Sequence, residues 1–240
     1  GKGGNQSLAA SRLGADVNLI ACVGNDAAAD EALVLLREGG VDLSRCRVVD
    51  DAATGTALIA VARSGENHIV VAPGANQKLV SADAENIVAD ALICQLEVPT
   101  AVISEAADAF DGFFCVNLAP AREIDVKVLQ QADLVVVNET ESNWYGASLK
   151  ACHGIVATTR GGGTATLERG GELIAEATPP AVSVVDTTGA GDTFTAALTL
   201  ALVEDQSADA ALQFACAAGA AATTRMGAQP SLPFRDSLAG

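Results

Sequence analysis

Short, continuous runs of apolar residues alternate with helix-forming segments through the middle of this 240-residue chain. The apolar runs occupy residues 91–96, 113–117, 134–138 and 155–159, and helices are predicted between them at 100–109 and 126–131. Strands that alternate with helices and are apolar on both faces are typical of a parallel sheet covered on both sides. The pattern therefore predicts a three-layer α/β/α fold with a mostly parallel central sheet.

Further elements are predicted on both sides of this alternation. Helices are expected at 5–13, 28–38, 81–90 and 205–224, with another after Asp192, and buried strands at 17–23 and 182–185. Two hairpins are expected, one pairing 56–62 with 68–72 through the turn-rich loop at 63–67, the other pairing 164–167 with 173–177. Since no linker or repeat interrupts the chain, we expect one domain spanning residues 1–240.

The charge balance limits the possible partners. With 14 Lys and Arg against 30 Asp and Glu, the formal net charge is −16, and repulsion would oppose binding to nucleic acid or an anionic membrane. We expect no signal peptide, and no apolar run approaches the roughly 18 residues of a membrane span, so we expect a soluble, cytoplasmic protein. The six cysteines are scattered without a Cys-x-x-Cys pair, which favours small buried hydrophobes over metal ligands or disulfides.

The most informative motif is Asp-Thr-Thr-Gly-Ala-Gly-Asp-Thr-Phe at residues 186–194. Gly189 and Gly191 flank Ala190 where the predicted strand turns into an alanine-rich helix, so backbone N–H groups there can converge on an anion. Asp192 lies beside this anion site. Two interpretations of Asp192 stay open: an N-cap of the helix, or a base that takes a proton from an attacking hydroxyl.

Polar residues also recur where the predicted strands end, namely Glu97, Asn117, Asn138, Thr159 and Asp186. The carboxyl ends of parallel strands form the ligand-binding edge of open α/β sheets. Each residue taken singly has an ordinary explanation as a turn or cap residue. Together they favour a site at this edge.

The chain begins in a glycine-rich segment, residues 1–4, without a methionine. This is an unusual start for an α/β protein, and we expect an N-terminal strand to be missing from it. The segment does not match a Walker A loop, because Gly1-Lys2 is followed by Gly3, and its glycine spacing is not that of a dinucleotide-binding fingerprint. Residues 189–192 therefore remain the leading phosphate site.

Four motifs resemble the signatures of the ribokinase (PfkB-type carbohydrate kinase) family, in order along nearly the whole chain. They are Gly-Lys-Gly-Gly-Asn-Gln at 1–6, Asn-Glu-Thr-Glu at 138–141, the motif at 186–194, and Gly-Ala-Gln-Pro-Ser at 227–231. The first and last, with Asn-Leu-Ala-Pro-Ala at 117–121, are closest to the ribose-phosphorylating members. The resemblance implies a ribokinase-like fold with a small β-sheet lid at about residues 55–73, and ATP-dependent phosphorylation of the 5-hydroxyl of D-ribose. It also implies a homodimer paired through the lid.

The resemblance further implies roles for individual residues. Asp192 would deprotonate the sugar hydroxyl, while the amides of Gly189, Ala190 and Gly191 cradle the transferring phosphate. The positions that match sugar contacts are Gly1, Lys2, Gly3, Asn5, Glu97 and Asp192. Those that match nucleotide contacts are Asn138, Thr159, Arg160, Gly161, Gly162, Gly163, Thr164, Gly191 and Cys216. Glu141 would organise Mg²⁺ through water, and the positions of a K⁺ site would be Asp186, Thr188, Ala222, Arg225, Gly227 and Ser231.

Some positions depart from the family or have a second interpretation. Cys216 stands where relatives often carry His or Asn, which favours apolar packing, and Thr164 stands where a glycine is usual. Asn138 and Glu141 would also suit a helix start, and Asp186 could equally be a turn residue. Phosphorylation of another sugar or nucleoside (deoxyribose, fructose, adenosine) and a non-catalytic sugar- or nucleotide-binding role both stay open.

Overall fold

The computed structural model of the chain describes residues 1–61 and 67–238. The helices and strands, in chain order, are α1 (Lys2–Arg12), β1 (Ala21–Gly24), α2 (Ala27–Glu38), β2 (Cys46–Val49), β3 (Thr56–Val61), β4 (Asn67–Ala72), β5 (Ala91–Gln95), α3 (Thr100–Ala109), β6 (Phe113–Asn117), α4 (Val126–Gln131), β7 (Leu134–Asn138), α5 (Glu139–Tyr145), β8 (Ile155–Arg160), β9 (Gly163–Arg169), β10 (Glu172–Ala177), α6 (Ala190–Val203), α7 (Ala208–Ala222) and α8 (Ala228–Ser231).

The largest sheet has six strands in the order β10-β9-β8-β7-β6-β5. Strands β5 to β8 are parallel, whereas β9 and β10 are antiparallel to their neighbours. The parallel register places Gln95 opposite Asn117, and Asn138 opposite Thr159. The predicted mostly parallel sheet is confirmed, and its carboxyl ends bring these polar residues to one edge.

Helices cover both faces of this sheet. On one face α3, α4 and α5 bury side chains such as Ile103, Leu129 and Tyr145 against the strands. On the other face α6 and α7 contribute Phe194, Leu198 and Leu212 to a second core. The three-layer prediction is confirmed. Among the described residues, no helix has the length and apolar character needed to cross a bilayer.

Helix α6 lies at the centre of its layer, because it is buried around most of its circumference. Its Ala196 packs in one cluster with Leu8 and Ala9 of α1. Small side chains at this contact allow the two helices to approach closely. The approach brings the first turns of α1 and α6 together, and this is where the predicted sugar and phosphate residues lie.

Two smaller sheets accompany the central one. β3 and β4 form an antiparallel pair, which confirms the predicted hairpin, although most of its predicted loop lies outside the described residues. β1 pairs in parallel with β2, and β5 is the edge of the six-stranded sheet. A cavity of about 1710 Å³ lies between β1 and β5, with Cys22 and Ile93 among its lining residues.

Two predicted elements are wrong. The helix predicted at 81–90 is a 3₁₀ turn, Ser81–Ala84, because the Asp83 carboxylate accepts from Val80 N and binds Arg47 of β2 at 2.8 Å, and Asn86 then takes a positive φ of 52°. The strand predicted at 182–185 is irregular. Its last amide, Val185 N, donates to a carbonyl at the end of α7 at 2.8 Å, so it does not extend the sheet.

Candidate active site

Asp192 is the third residue of α6 and is only 7% exposed. Its carboxylate accepts two side-chain hydrogen bonds from α1, from Asn5 Nδ2 to Oδ2 at 2.8 Å and from Gln6 Nε2 to Oδ1 at 3.1 Å. The N-cap of α6 is Gly189, without a side-chain capping bond. The capping interpretation of Asp192 is therefore wrong, and the carboxylate is left in a position to act on a ligand.

The first turn of α6 presents backbone N–H groups beside this carboxylate. Gly189 has φ 84°, the left-handed conformation that turns the chain into the helix. Ala190 N donates to Thr187 O at 3.2 Å. The N–H groups of Gly189, Gly191 and Asp192 have no acceptor among the described residues. Since a helix amino terminus favours negative charge, these three amides can hold an anion, whereas the predicted amide of Ala190 is used within the turn.

The predicted sugar-binding segment 1–4 is not a loop, because α1 already begins at Lys2. Glu97, at the carboxyl end of β5, accepts from Lys2 N at 2.7 Å and so satisfies an amino-terminal amide of α1, as an N-cap side chain would. A Cβ on Gly1 would lie 2.6 Å from Glu97 Oε2. Glycine at position 1 therefore lets the carboxylate reach the helix. Gly3 lies nearby, next to Gln95.

Asn138 and Glu141 form a capping box at the start of α5. Glu141 N donates to Asn138 Oδ1 and Asn138 N donates to Glu141 Oε2, both at 2.8 Å. The helix-start interpretation is therefore confirmed. Burial raises the pKa of Glu141 above its usual value, and the Asn138 hydrogen bond and the Lys2 ammonium partly offset this.

Of this pair, Glu141 offers an oxygen atom that a cation could use. Glu141 Oε1 has no partner among the described residues, and a carboxylate oxygen is the kind of ligand that Mg²⁺ accepts. The described part of the chain contains no group of three or more His, Cys, Asp or Glu side chains able to hold a metal ion.

Asp186 connects two loops at the far end of the motif. Its Oδ1 accepts from Thr188 N at 2.9 Å and Thr188 Oγ1 at 2.7 Å, which confirms the turn interpretation, and its Oδ2 accepts from Gly227 N at 2.8 Å. These donors lower the pKa of Asp186. The predicted K⁺ ligands Asp186, Thr188 and Gly227 are thus in direct contact. The other three lie on the segment leading from α7 into α8: Ala222, Arg225 and Ser231.

The predicted nucleotide loop at residues 159–164 is a tight hairpin. Thr159 and Arg160 end β8, Gly161 and Gly162 form the turn, and β9 begins at Gly163. Arg160 Nη1 donates to Thr164 O at 2.9 Å, which ties the two strands together. Thr159 and Arg160 thus lie at the carboxyl end of β8, as expected, whereas Gly163 and Thr164 begin β9.

Cys216 is buried in α7 and its thiol contacts Ala177 O at 3.8 Å. Burial raises the pKa of the Cys216 thiol to about 11. A neutral thiol packed in the core agrees with the apolar packing role expected for this position.

Two amide side chains at the site, Gln6 and Gln95, were not predicted from the sequence. Gln6 is only 2% exposed and hydrogen-bonds Gln95, Asn117 and Asp192. The available signal was its position one helical turn before Ala9 and Ala10, which puts a polar residue on the buried face of α1.

The fold and site define a class. A three-layer α/β/α fold with a buried carboxylate beside free amides at a helix amino terminus is typical of an enzyme that transfers phosphoryl groups. The family model described as pfkB family carbohydrate kinase matches residues 1–235. The chain belongs to this family and is a carbohydrate kinase.

Similar proteins are found among both sequences and structures. The chain is 34% identical over 259 residues to a protein named ribokinase from Haemophilus influenzae, with 98% of this chain and 84% of the relative covered. It is 33% identical over 252 residues to the ribokinase of Bacillus subtilis, with 99% and 85% covered.

Two solved structures have the same fold. A ribokinase from Thermotoga maritima superposes with a TM-score of 0.89 at 30% identity, covering 99% of this chain and 85% of that one. The Arabidopsis thaliana ribokinase, described as complexed with ribose and ATP, has a TM-score of 0.89 at 29% identity with the same coverage. The ribokinase-like fold predicted from the sequence is thereby confirmed.

Proposed function

We propose that the chain, as one catalytic domain, transfers the γ-phosphoryl group of ATP to the 5-hydroxyl of D-ribose. The observation that carries this function is the Asp192 carboxylate, which is buried, held by two amides and placed beside the free N–H groups of the α6 amino terminus. Similarity to proteins named ribokinase, at 33–34% identity for two bacterial sequences, supports ribose as the sugar.

Different groups of the site would perform proton transfer and phosphate binding. Asp192 accepts the proton of the sugar hydroxyl as that oxygen attacks the phosphorus. The N–H groups of Gly189, Gly191 and Asp192 bind the transferring phosphoryl oxygens, and the helix dipole offsets their charge. No covalent nucleophile is needed, since phosphoryl transfer depends on in-line positioning and charge neutralisation.

Different residues would bind the two cations, Mg²⁺ and K⁺. Mg²⁺, when bound with ATP, neutralises phosphate charge. In this chain Glu141 would hold its water shell while Asn138 orients Glu141 through the capping box. Asp186, Thr188 and Gly227 would hold K⁺ together with main-chain oxygens of the C-terminal segment. A monovalent ion there would stiffen the turn that leads into Gly189.

The substrates would approach from opposite sides of Asp192. The sugar would contact Gly1, Lys2, Gly3, Asn5 and Glu97, where α1 meets the end of β5. The nucleotide would lie along the carboxyl ends of β7 and β8, against Asn138, the hairpin at 159–164 and the α7 side that carries Cys216.

Ribose-dependent formation of ADP tests this function. We expect activity that requires Mg²⁺ and increases with K⁺. The variant Asp192→Asn keeps the size of the side chain and should lose about 10²–10⁴-fold in kcat, the usual contribution of a general base. Undiminished turnover by this variant would refute the assignment.

Two rival functions are separated by simple measurements. A substrate panel with deoxyribose, fructose and adenosine distinguishes ribose from other acceptors. If calorimetry showed ribose and ATP binding without turnover, the chain would be a non-catalytic ligand-binding relative.

The lid suggests an assembly. Leu58 and Val70 on the β3–β4 pair are 69% and 67% exposed, and Val71 is 59% exposed. Exposed apolar strands favour pairing with another copy, so we propose a homodimer through the lid. Sedimentation of Leu58→Asp should show a monomer if this face pairs, and an unchanged dimer would exclude it.

A further inference from the structure

A chain of side-chain amides, of which Gln6 and Asn117 are buried, leads from the edge of the sheet to Asp192. Gln95 Nε2 donates to Gln6 Oε1 at 2.6 Å. Gln6 Nε2 then donates to both Asp192 Oδ1 and Asn117 Oδ1, each at 3.1 Å. Asn117 is fixed in turn, because its Nδ2 donates to Val136 O at 3.1 Å.

The neighbours of Gln6 allow only one orientation of its amide. The Asp192 carboxylate and the Asn117 carbonyl oxygen both accept hydrogen bonds, so the nitrogen of Gln6 must face them and its oxygen must face Gln95. The reversed amide would place oxygen against two oxygens. Because Gln6 is 2% exposed, water cannot readily replace a lost partner.

Asn5 and Gln6 therefore each donate to a different oxygen of Asp192, but the two side chains differ in their surroundings. Asn5 is half-buried and matches a sugar-contacting position, whereas Gln6 is 2% exposed and its amide is already bonded to Gln95, Asn117 and Asp192. A loss at Gln6 would act on the reaction through Asp192 alone.

We propose that Gln6 is a positioning residue that aims the Asp192 carboxylate at the sugar hydroxyl, with its own amide oriented by Gln95 and Asn117. This role rests on the proposed function, in which Asp192 is the general base. A displacement of about 1 Å at a reacting group can lower the rate about 10²-fold, so a side chain that fixes the carboxylate has a measurable effect on kcat.

The first test replaces Gln6 by groups of similar size. Gln6→Met removes both donors, and Gln6→Glu keeps the shape but turns oxygen toward Asp192. We expect kcat per folded molecule to fall about 10- to 100-fold, while KM for ribose and for ATP changes less than about 3-fold. Wild-type kcat in the folded fraction of either variant would overturn the proposal. A 10- to 100-fold increase in KM with an unchanged kcat would also overturn it.

A pH series separates positioning from damage to the core. In Gln6→Glu the introduced carboxyl regains a donor when protonated, so the ratio of variant kcat to wild-type kcat should rise as the pH falls from 8 to 6. With kcat taken per folded molecule, a loss of folded protein leaves this ratio flat, and a flat ratio would count against the proposal.

Gln131→Met is the matched control. Gln131 is exposed at the end of α4 and also donates to a carboxylate, Asp108 Oδ1, at 2.7 Å. The same substitution there should leave kcat and KM at wild-type values.

The double variant with Asp192→Asn distinguishes this inference from the proposed function. If Gln6 acts only through Asp192, Gln6→Met should cost nothing further in the Asp192→Asn background. If the reductions in kcat caused by the two substitutions multiply, the positioning role of Gln6 is overturned while Asp192 remains the base. Undiminished activity in Asp192→Asn alone would instead overturn the proposed function, and the positioning role with it.

Discussion

Gly191→Ala should separate the stability of α6 from its capacity to bind phosphate. A Cβ built on Gly191 meets no atom within 4 Å, so the methyl group costs nothing sterically in the free protein. Replacing glycine by alanine at a compatible helical position stabilises by about 0.4–1 kcal/mol through the unfolded state. For a chain of this size the melting temperature should rise by about 1–4 °C.

The same methyl group should harm catalysis. It would occupy the open space beside the free N–H of Gly191, where the phosphoryl oxygens are proposed to bind. Losing one donor of this kind costs about 10²–10³-fold in kcat. Ribose-dependent ADP production and thermal unfolding of the same sample should therefore change in opposite senses.

Two further glycines complete the comparison. Gly189 and Gly170 have φ 84° and 60°, and alanine in the left-handed region costs about 1–2 kcal/mol. Gly189→Ala should lose both stability and activity, whereas Gly170→Ala, in the β9–β10 turn, should lose stability only. Wild-type kcat/KM in Gly191→Ala, or a melting temperature below that of the wild type, would refute this role of Gly191.

Three other outcomes are expected. Because burial raises the pKa of Glu141, its charge weakens the fold once the pH rises through the folded pKa, so Glu141→Gln should resist urea better than wild type at pH 8 and equally at pH 4. Greater urea sensitivity at pH 8 would contradict this. Asp186→Asn should abolish the difference between initial rates in KCl and NaCl, and retained K⁺ stimulation would remove Asp186 from the ion site. Burial also raises the pKa of the Cys115 thiol to about 12, so mass spectrometry should find Cys115 unlabelled by a thiol reagent at pH 8 unless urea is added.

The parts of the fold that depend on local patterning could be predicted from the sequence. Continuous apolar runs correctly located the four parallel strands, and the glycines around Ala190 correctly located the turn into α6. The 182–185 run was predicted as a strand for the same reason. It failed because its last amide, Val185 N, bonds to the end of α7, a tertiary contact that apolar patterning does not encode.

The site was predictable to the same extent. Asp192 and its flanking glycines form a contiguous motif, and polar residues at strand ends marked the correct edge of the sheet. The contacts of Gln6 were not predictable, because they join residues 89, 111 and 186 positions apart along the chain. The first helical turn at residues 2–4 was missed since its amino-terminal partner, Glu97, comes from a distant strand.

The contact between Gln6 and Asp192, 186 positions apart, also has a consequence for how the molecule folds. The entropic free-energy cost of closing a flexible loop grows by about 0.6 kcal/mol per doubling of the loop length. Forming this contact therefore costs about 2–3 kcal/mol more than forming one that spans ten residues. Contacts of such separation form only after more local structure has reduced the search. Recovery of catalytic turnover during refolding should therefore lag behind recovery of helical signal, and the enzyme's activity would report completion of folding.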